Sequence, residues 1–420
     1  MPGLNIHFSW KMLIAVAFIT VGPCVFLAVR TGGPRGVQEG GKPLTTHSDE
    51  TNSVGVVEGQ PGPWGRLLYA NLMLDLPDEF VLLPSSDQPV RWFFKGYSRD
   101  GVIDLLKSAD LTDSQVESFA QDAVWSEKAD GTWVEPRDEQ VLELTPGARS
   151  RIYSVLIEIP ENSVDLDPVA FRPETIDAQL SDSGLQPASV HLLKSLLYQN
   201  GDSPWLIFID RDVALRQLPD DRERRLFVKA LSRRATVMAR LVVDANTDVE
   251  ALGGYWGVGG RKKDIVPLLK SLGRVEGGWN VGLVYLLPSF IRERLCTYPF
   301  PSSGTTVVKE DCFWSAFNAF NQTPDDRFCD MKHVREVLDR EYYTIFEPTQ
   351  LGDLVLLATP GNEVVHAAVY IADDLVFTKN GFHYTQPWIL MHMNDMIETY
   401  AARHPGSGEL KTRFFRKTEN

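Results

Sequence analysis

A cysteine and a histidine near the carboxyl end of the chain are of the types that nucleophilic catalysis uses. Cys312 follows Asp311 at the predicted start of a helix, and His366 lies in a predicted strand hairpin. A thiolate is a good nucleophile near neutral pH only when its pKa is lowered, and a helix N-terminus or a nearby imidazolium can do this. The segment that carries these two residues can supply both.

The elements that would position the two residues are a helix and a set of strands. Apolar residues at helical spacing predict a helix with Cys312 in its first turn: Phe313, Ala316, Phe317 and Phe320. Runs rich in Val, Ile and Leu predict strands over residues 352–357, 364–371 and 375–378. His366 then lies within a strand, with its side chain on one face of the sheet.

The order and spacing of these motifs resemble the NlpC-type cell-wall cysteine peptidases, a branch of the papain-like superfamily. The matching motifs, all within residues 311–420, are Asp311-Cys312, Gly352-Asp353-Leu354-Val355 and His366-Ala367-Ala368-Val369-Tyr370-Ile371. Two positions depart from the family pattern. Phe313-Trp314 stand where the family usually has Ser-Gly, and Ala372-Asp373-Asp374 stand where it usually has a glycine-rich turn.

The resemblance implies a helix packed on a small antiparallel sheet, with Cys312 as the nucleophile and His366 as its base. Acyl transfer would pass through a thioester, and the Cys312 backbone N–H would contribute to an oxyanion hole. The family often has a substrate-contacting tyrosine near the position of Tyr298. The implied function is hydrolysis of amide bonds, with cell-wall peptide as the expected substrate. A non-catalytic envelope scaffold or binding protein that keeps the papain-like fold is the alternative.

A third catalytic residue would accept the other N–H of the His366 ring. Because side chains alternate along a strand, this residue must share the His366 face across the hairpin. A three-residue turn places Asn380 opposite His366, whereas a two-residue turn makes Lys379 its diagonal neighbour. An ammonium group cannot accept a hydrogen bond, but an amide oxygen can. We therefore predict Asn380 as the third catalytic residue, ahead of His383 and Thr378.

The composition is that of a globular protein. Of 420 residues, 43% are hydrophobic and 23% are charged, which is enough apolar material for a full core, and the length allows about two to three domains. The formal net charge of -14 argues against a nucleic-acid partner, since phosphate binding needs clustered Lys and Arg. The expected partners are an amide substrate and a membrane, and we predict no cofactor and no metal ion.

An apolar run near the amino end predicts attachment to a membrane. Residues 12–29 are long enough to span a bilayer and are flanked by Lys11 and Arg30. We interpret residues 1–30 as a membrane anchor or an export signal, and favour the anchor because no clear small-x-small cleavage site follows. Residues 31–63, rich in Gly, Pro, Thr and Ser, predict a flexible linker. We expect a single-pass protein of the cell membrane, with its folded part in the periplasm or cell envelope.

The sequence predicts an α+β fold, with residues 64–295 as an α+β region of unknown role and residues 296–420 as the NlpC-like domain. Helical periodicity in the first of these predicts several short helices: residues 101–108, 113–124, 146–157, 189–198 and 263–272. Asp210-Arg211-Asp212 follow a predicted strand, and we interpret them as an ordinary strand exit rather than a Mg²⁺ site. Cys296 and Cys329 form either a disulfide or two buried thiols.

Overall fold

The computed structural model describes residues 7–8, 55–83, 89–162, 168–201, 204–300, 309–403 and 408–418. Its strands are β1 (His7–Phe8), β2 (Val57–Glu58), β3 (Arg66–Leu74), β4 (Trp92–Lys95), β5 (Val124–Lys128), β6 (Gly131–Glu135), β7 (Val169–Phe171), β8 (Tyr198–Gln199), β9 (Leu206–Phe208), β10 (Arg234–Val243), β11 (Trp279–Gly282), β12 (Tyr342–Ile345), β13 (Leu354–Ala358), β14 (Glu363–Ala372), β15 (Leu375–Lys379), β16 (Trp388–His392) and β17 (Lys411–Lys417).

Helices and strands are mixed along the whole described chain, so the fold is α+β, as the sequence predicts. The helices are α1 (Arg99–Ser108), α2 (Asp113–Asp122), α3 (Asp138–Leu142), α4 (Pro146–Ile157), α5 (Ile176–Ser181), α6 (Pro187–Ser195), α7 (Arg211–Gln217), α8 (Asp221–Ser232), α9 (Val249–Trp256), α10 (Lys262–Leu272), α11 (Ser289–Arg294), α12 (Cys312–Phe317), α13 (Met331–Glu341) and α14 (Met393–Arg403). The five helices predicted from periodicity are confirmed as α1, α2, α4, α6 and α10.

The largest sheet, which we call the C-terminal sheet, carries the motifs singled out in the sequence. Its strand order is β12-β17-β13-β14-β15-β16, antiparallel throughout, and β1 adds to β14 in parallel. Helix α12 packs on β14 and β15. On the other face, Met396 and Tyr400 of α14 pack against Val365 and Tyr370 of β14. A helix packed on an antiparallel sheet is therefore present, with a second helix on the opposite face.

A second sheet, which we call the central sheet, joins the middle of the chain to the C-terminal sheet. Its antiparallel strands are ordered β11-β10-β3-β2. Leu67 and Leu241 on its buried face share one core cluster with Cys312 and Phe377. The Thr236 hydroxyl donates to Leu390 O and accepts from Leu390 N, both at 3.1 Å. Residues on both sides of position 296 therefore build the same core.

The turn between β14 and β15 fastens the start of the described globular part to the C-terminal sheet. The Asp373 carboxylate accepts hydrogen bonds from Gln60 N and from the Tyr69 hydroxyl, each at 2.9 Å. Asp373 itself has a φ of 56°, in the left-handed region that Asp tolerates better than most residues. Burial and this neighbouring carboxylate raise the pKa of Tyr69, so its hydroxyl stays protonated and keeps donating.

Two small three-stranded sheets, ordered β4-β6-β5 and β7-β9-β8, complete the middle region. This region also holds a buried ion pair in which Arg149 Nε donates to Asp210 at 2.9 Å. The hydroxyl of Tyr153 donates to the same carboxylate. Asp210 is thus a structural residue that ties α4 to the end of β9. In the described ranges, no group of three or more His, Cys, Asp or Glu side chains could hold a metal ion.

The predicted anchor, the apolar run at residues 12–29, lies outside the described residues, and so does most of the linker at residues 31–63. Among the residues that the structure does describe, no helix is both long enough and apolar enough to cross a membrane.

The buried polar cluster of the middle region gives a matched pair of stability tests. The Tyr153 hydroxyl donates to the Asp210 carboxylate, whereas the buried Tyr198 hydroxyl has no hydrogen-bond partner among the described residues. We expect Tyr153→Phe to cost about 1.5–3 kcal/mol, the range for a hydrogen bond to a charged group, and Tyr198→Phe to be nearly neutral. Urea denaturation of both variants measures this, and equal losses would contradict the assignment.

Candidate functional site

The start of α12 is built by Asp311, which caps the helix. Its carboxylate accepts a hydrogen bond from Trp314 N at 2.8 Å, and the Ser315 hydroxyl donates to its backbone oxygen at 2.6 Å. Cys312 is therefore the first residue of the helix, as predicted. The helix ends at Phe317, before the predicted position Phe320, because the buried Asn318 side chain binds the backbone of Asp325.

Cys312 lies in the core rather than at a surface. Its side chain is 4% exposed and packs in the cluster that the central and C-terminal sheets share. Burial raises the pKa of the Cys312 thiol well above its ordinary value, and the Asp311 carboxylate raises it further. The Ala367 backbone N–H and Lys379 act in the opposite direction but do not offset the burial. The thiol is therefore protonated at neutral pH, and only the thiolate is a strong nucleophile.

His366 is fully buried on β14, and its surroundings are aromatic and apolar. Its ring stacks on Tyr400 of α14, with ring centroids 3.9 Å apart and an interplanar angle of 22°. Its Nε2 atom lies 2.8 Å from the Thr378 hydroxyl. Leu357, the cross-strand neighbour of His366, belongs to the same cluster as Tyr400. These contacts place His366 on the face of the C-terminal sheet that α14 covers.

The structure does not bring Cys312 and His366 together. Ala367, the next residue along β14, belongs to the core cluster of Cys312, while His366 stacks on Tyr400 of the opposite cluster. Successive side chains on a strand point to opposite faces. The nucleophile and the base expected from the resemblance are therefore separated by the sheet itself.

The pairing of β14 with β15 has features of both turns that the sequence allowed. Ala372 pairs with Leu375, which leaves a two-residue turn, but an irregularity then shifts the register so that Tyr370 pairs with Val376. This is the register that the three-residue turn predicts, and its continuation puts Asn380 level with His366. The Asn380 amide donates to Met391 Sδ at 3.6 Å. Of the three candidates, Thr378 is the one whose hydroxyl lies 2.8 Å from the His366 ring.

Lys379 is the ionisable residue on the Cys312 face that the sequence analysis did not assign to the site. It is fully buried, and its ammonium donates to Gly381 O at 2.6 Å and to His383 O at 3.1 Å. Burial lowers the pKa of Lys379 to about 8, although Asp311 and Cys312 act to raise it. Burial also raises the pKa of Asp311 to about 6. Side chains alternate along β15, and Thr378 faces His366, so Lys379 must lie on the opposite face. This alternation is the sequence signal that could have placed Lys379 beside Cys312.

The Gly352-Asp353 motif has a structural explanation in this chain. Asp353 is 2% exposed and accepts hydrogen bonds from Thr349 N and Gln350 N, each at 2.9 Å. Arg416 of β17 forms an ion pair with it at 2.7 Å. The motif therefore closes the turn before β13 and joins it to β17.

Cys296, Cys312 and Cys329 are all free thiols, so the possible disulfide between Cys296 and Cys329 is not formed.

A groove lies beside the first turns of α12. It encloses about 310 Å³, and its walls include Glu293, Arg294, Tyr298, Glu310, Trp314 and Trp388. Tyr298, expected near a substrate, is one of these residues, although its hydroxyl donates to Leu74 O at 3.3 Å. The groove lies close to Cys312 in sequence, because Glu310 and Trp314 flank that residue.

Comparison of the chain with models of known protein families, with curated proteins and with solved structures gives no match in any of the three. The resemblance to the NlpC-type peptidases thus depends on the quoted motifs alone.

The buried Lys379 ammonium gives a pH test of the site. Its pKa is about 8 in the folded protein against an ordinary value of 10.5, so the unfolded chain binds more protons between these pH values. The free energy of unfolding that Lys379 contributes must then rise with pH across this window, by up to about 1.4 kcal/mol per pH unit. We expect Lys379→Met to remove this rise, as measured by urea denaturation at several pH values.

The control is Lys411→Met, at an exposed position of the same sheet, which should keep the rise of the unmodified chain. A slope in Lys379→Met equal to that of the unmodified chain would show that folding does not lower the pKa of Lys379.

Proposed function

We propose that the C-terminal part of this chain is a ligand-binding module that keeps a helix-on-sheet arrangement of papain-like type without Cys–His catalysis. The observation that carries the proposal is the position of Cys312 and His366 on opposite faces of the C-terminal sheet. A base can abstract a proton only within hydrogen-bond reach or through one water. A buried sheet between the two residues prevents both routes.

The state of the thiol supports the same proposal. Reactive cysteines lie in partly exposed, electropositive surroundings, whereas buried structural cysteines are inert. Cys312 is 4% exposed, and burial raises the pKa of its thiol. The neighbouring carboxylate of Asp311 raises that pKa further, which is the opposite of what activation needs.

The groove beside α12 supports binding as the function. Concave sites with aromatic walls and a few charged groups are the usual binding places for small ligands. This groove combines two tryptophans with one arginine and two glutamates. We propose a peptide-like ligand, of which cell-wall peptide is one instance, held here without cleavage.

Alkylation of Cys312 tests the proposal. In the full chain with Cys24, Cys296 and Cys329 replaced by alanine, we expect iodoacetamide to leave Cys312 unmodified at pH 7–9, because thiolate formation is suppressed. Denaturant should make the same thiol react at once, which serves as the internal control. Mass spectrometry of the digested protein measures the modified fraction.

The opposite result would support the hydrolase. If the native thiol reacts well below pH 8.5, the ordinary pKa of a thiol, and the chain releases peptides from purified sacculi, binding without catalysis is excluded. Loss of that release in Cys312→Ala, with the fold retained, would then identify the nucleophile.

We further propose that residues 12–29 hold the protein at the cell membrane, with the folded part in the periplasm or cell envelope. The support is the apolar length of this run. Full-length protein is expected in the membrane fraction, and deletion of residues 1–30 should release it. Recovery of the intact, unprocessed chain from the soluble fraction would contradict the anchor.

A further inference from the structure

We propose that the groove beside α12 recognises a zwitterionic ligand, meaning an amino acid or short peptide that presents a carboxylate and an ammonium group together. This inference rests on the proposed binding function and names the chemistry of its ligand. Arg294 would receive the carboxylate, and Glu293 with Glu310 would receive the ammonium.

Among the described residues, Arg294 is held in place by stacking on aromatic rings and not by a hydrogen-bonded carboxylate. Its guanidinium lies 4.0 Å from the ring centroid of Phe290, 5.2 Å from that of Trp314 and 5.8 Å from that of Trp388. Stacking on aromatic faces fixes the plane of a guanidinium and leaves its N–H edge for other partners. The cation is therefore oriented before any ligand arrives.

The two indole rings are themselves fixed by hydrogen bonds. Trp388 Nε1 donates to the Ser315 hydroxyl at 2.8 Å, and Trp314 Nε1 donates to Asp326 at 3.2 Å. Both rings are also buried, at 4% and 3% exposure. A site whose supports are already rigid loses less conformational entropy when it binds.

The hydrogen-bonding capacity of Arg294 is largely unused. Among the described residues its side chain has one hydrogen bond, from Nη1 to Phe290 O, which is long at 3.5 Å, and the carboxylates of Glu293 and Glu310 act on it only electrostatically. A guanidinium has five N–H donors in a planar fork that matches a carboxylate. A carboxylate ligand can therefore bind it in a bidentate manner.

Because two glutamates line the groove, a ligand that carries only a negative charge would be repelled there. Glu293 and Glu310 line the same groove, where their carboxylates act electrostatically on Arg294. Together they carry two negative charges against the single positive charge of Arg294. An ammonium group on the ligand would balance this excess. The volume of about 310 Å³ is at the lower end for ligand sites, which indicates a small ligand or one end of a peptide.

The test uses four dipeptide probes that differ only in charge: glycylglycine, N-acetylglycylglycine, glycylglycinamide and N-acetylglycylglycinamide. The full chain is labelled with 5-fluorotryptophan, and the ¹⁹F resonances of Trp314 and Trp388 are assigned with Trp→Phe variants. We expect glycylglycine to shift both resonances, with an affinity at least about tenfold above that of either singly charged probe. The neutral probe should shift neither.

Variants identify the groups responsible. Arg294→Gln should lower the affinity for glycylglycine at least about tenfold and leave that for glycylglycinamide unchanged. Glu310→Gln should weaken glycylglycine and glycylglycinamide together. Arg292→Gln, at an exposed position of the same helix, is the matched control and should change nothing.

Equal affinity for all four probes, no shift with glycylglycine at its solubility limit, or an Arg294→Gln variant that binds normally would each overturn the inference. These failures differ from failure of the proposed function. A reactive Cys312 would contradict the proposal of binding without catalysis, but it would not change the results with the dipeptide probes. Tryptophan resonances that do not shift would contradict ligand binding in the groove, but they would not change the result of the alkylation experiment.

Discussion

The alternation of side chains along β14 decides what the C-terminal sheet can do. Each residue on this strand faces either α12 and the central sheet or α14, and nearly every one is buried on its face. His366 and Ala367 are adjacent in sequence, yet they belong to different cores. Because of this alternation, Ala367 lies beside Cys312, whereas His366 lies against Tyr400. Lys379 of β15 also lies on the Cys312 side. The chemistry open to the thiol follows from this arrangement.

The middle region contributes to this arrangement by burying one of the two faces. The central sheet and α9 cover the Cys312 side, where the Tyr255 hydroxyl donates to Ile371 O at 2.7 Å and Trp256 Nε1 donates to Trp64 O at 3.0 Å. Because this cover excludes water from the Cys312 thiol, the dipole of a six-residue helix cannot offset the cost of ionising that thiol. Residues 64–295 therefore take part in setting the properties of the site.

Much of the local structure was predictable from the sequence, and the pairing of its functional groups was not. The strands around His366 and the helix start at Cys312 follow from composition and helical periodicity. The level of Asn380 was left open between two turns, and an irregularity beyond a two-residue turn decides it. The face of His366 does not follow from composition, because β14 is apolar on both sides. The hydrophobic pattern of a strand shows which face of the sheet each residue takes only where one face is polar. Lys379 was considered only as a partner of His366, although alternation from Thr378 puts it on the opposite face of the sheet, beside Cys312.

A slip of the whole β14 strand would not restore a Cys–His pair. If β14 slipped by one residue to bring His366 to the Cys312 face, the face of every side chain on the strand would be reversed. Such a slip would break the hydrogen bond from the Tyr370 hydroxyl to Asp373 O and the one from Tyr255 to Ile371 O. It would also turn Tyr370 into the space that Ala367 and Val369 now occupy, and well-packed cores do not accept such a volume change. Contacts at the carboxyl end of β14 therefore oppose a slip that would bring the imidazole to the thiol.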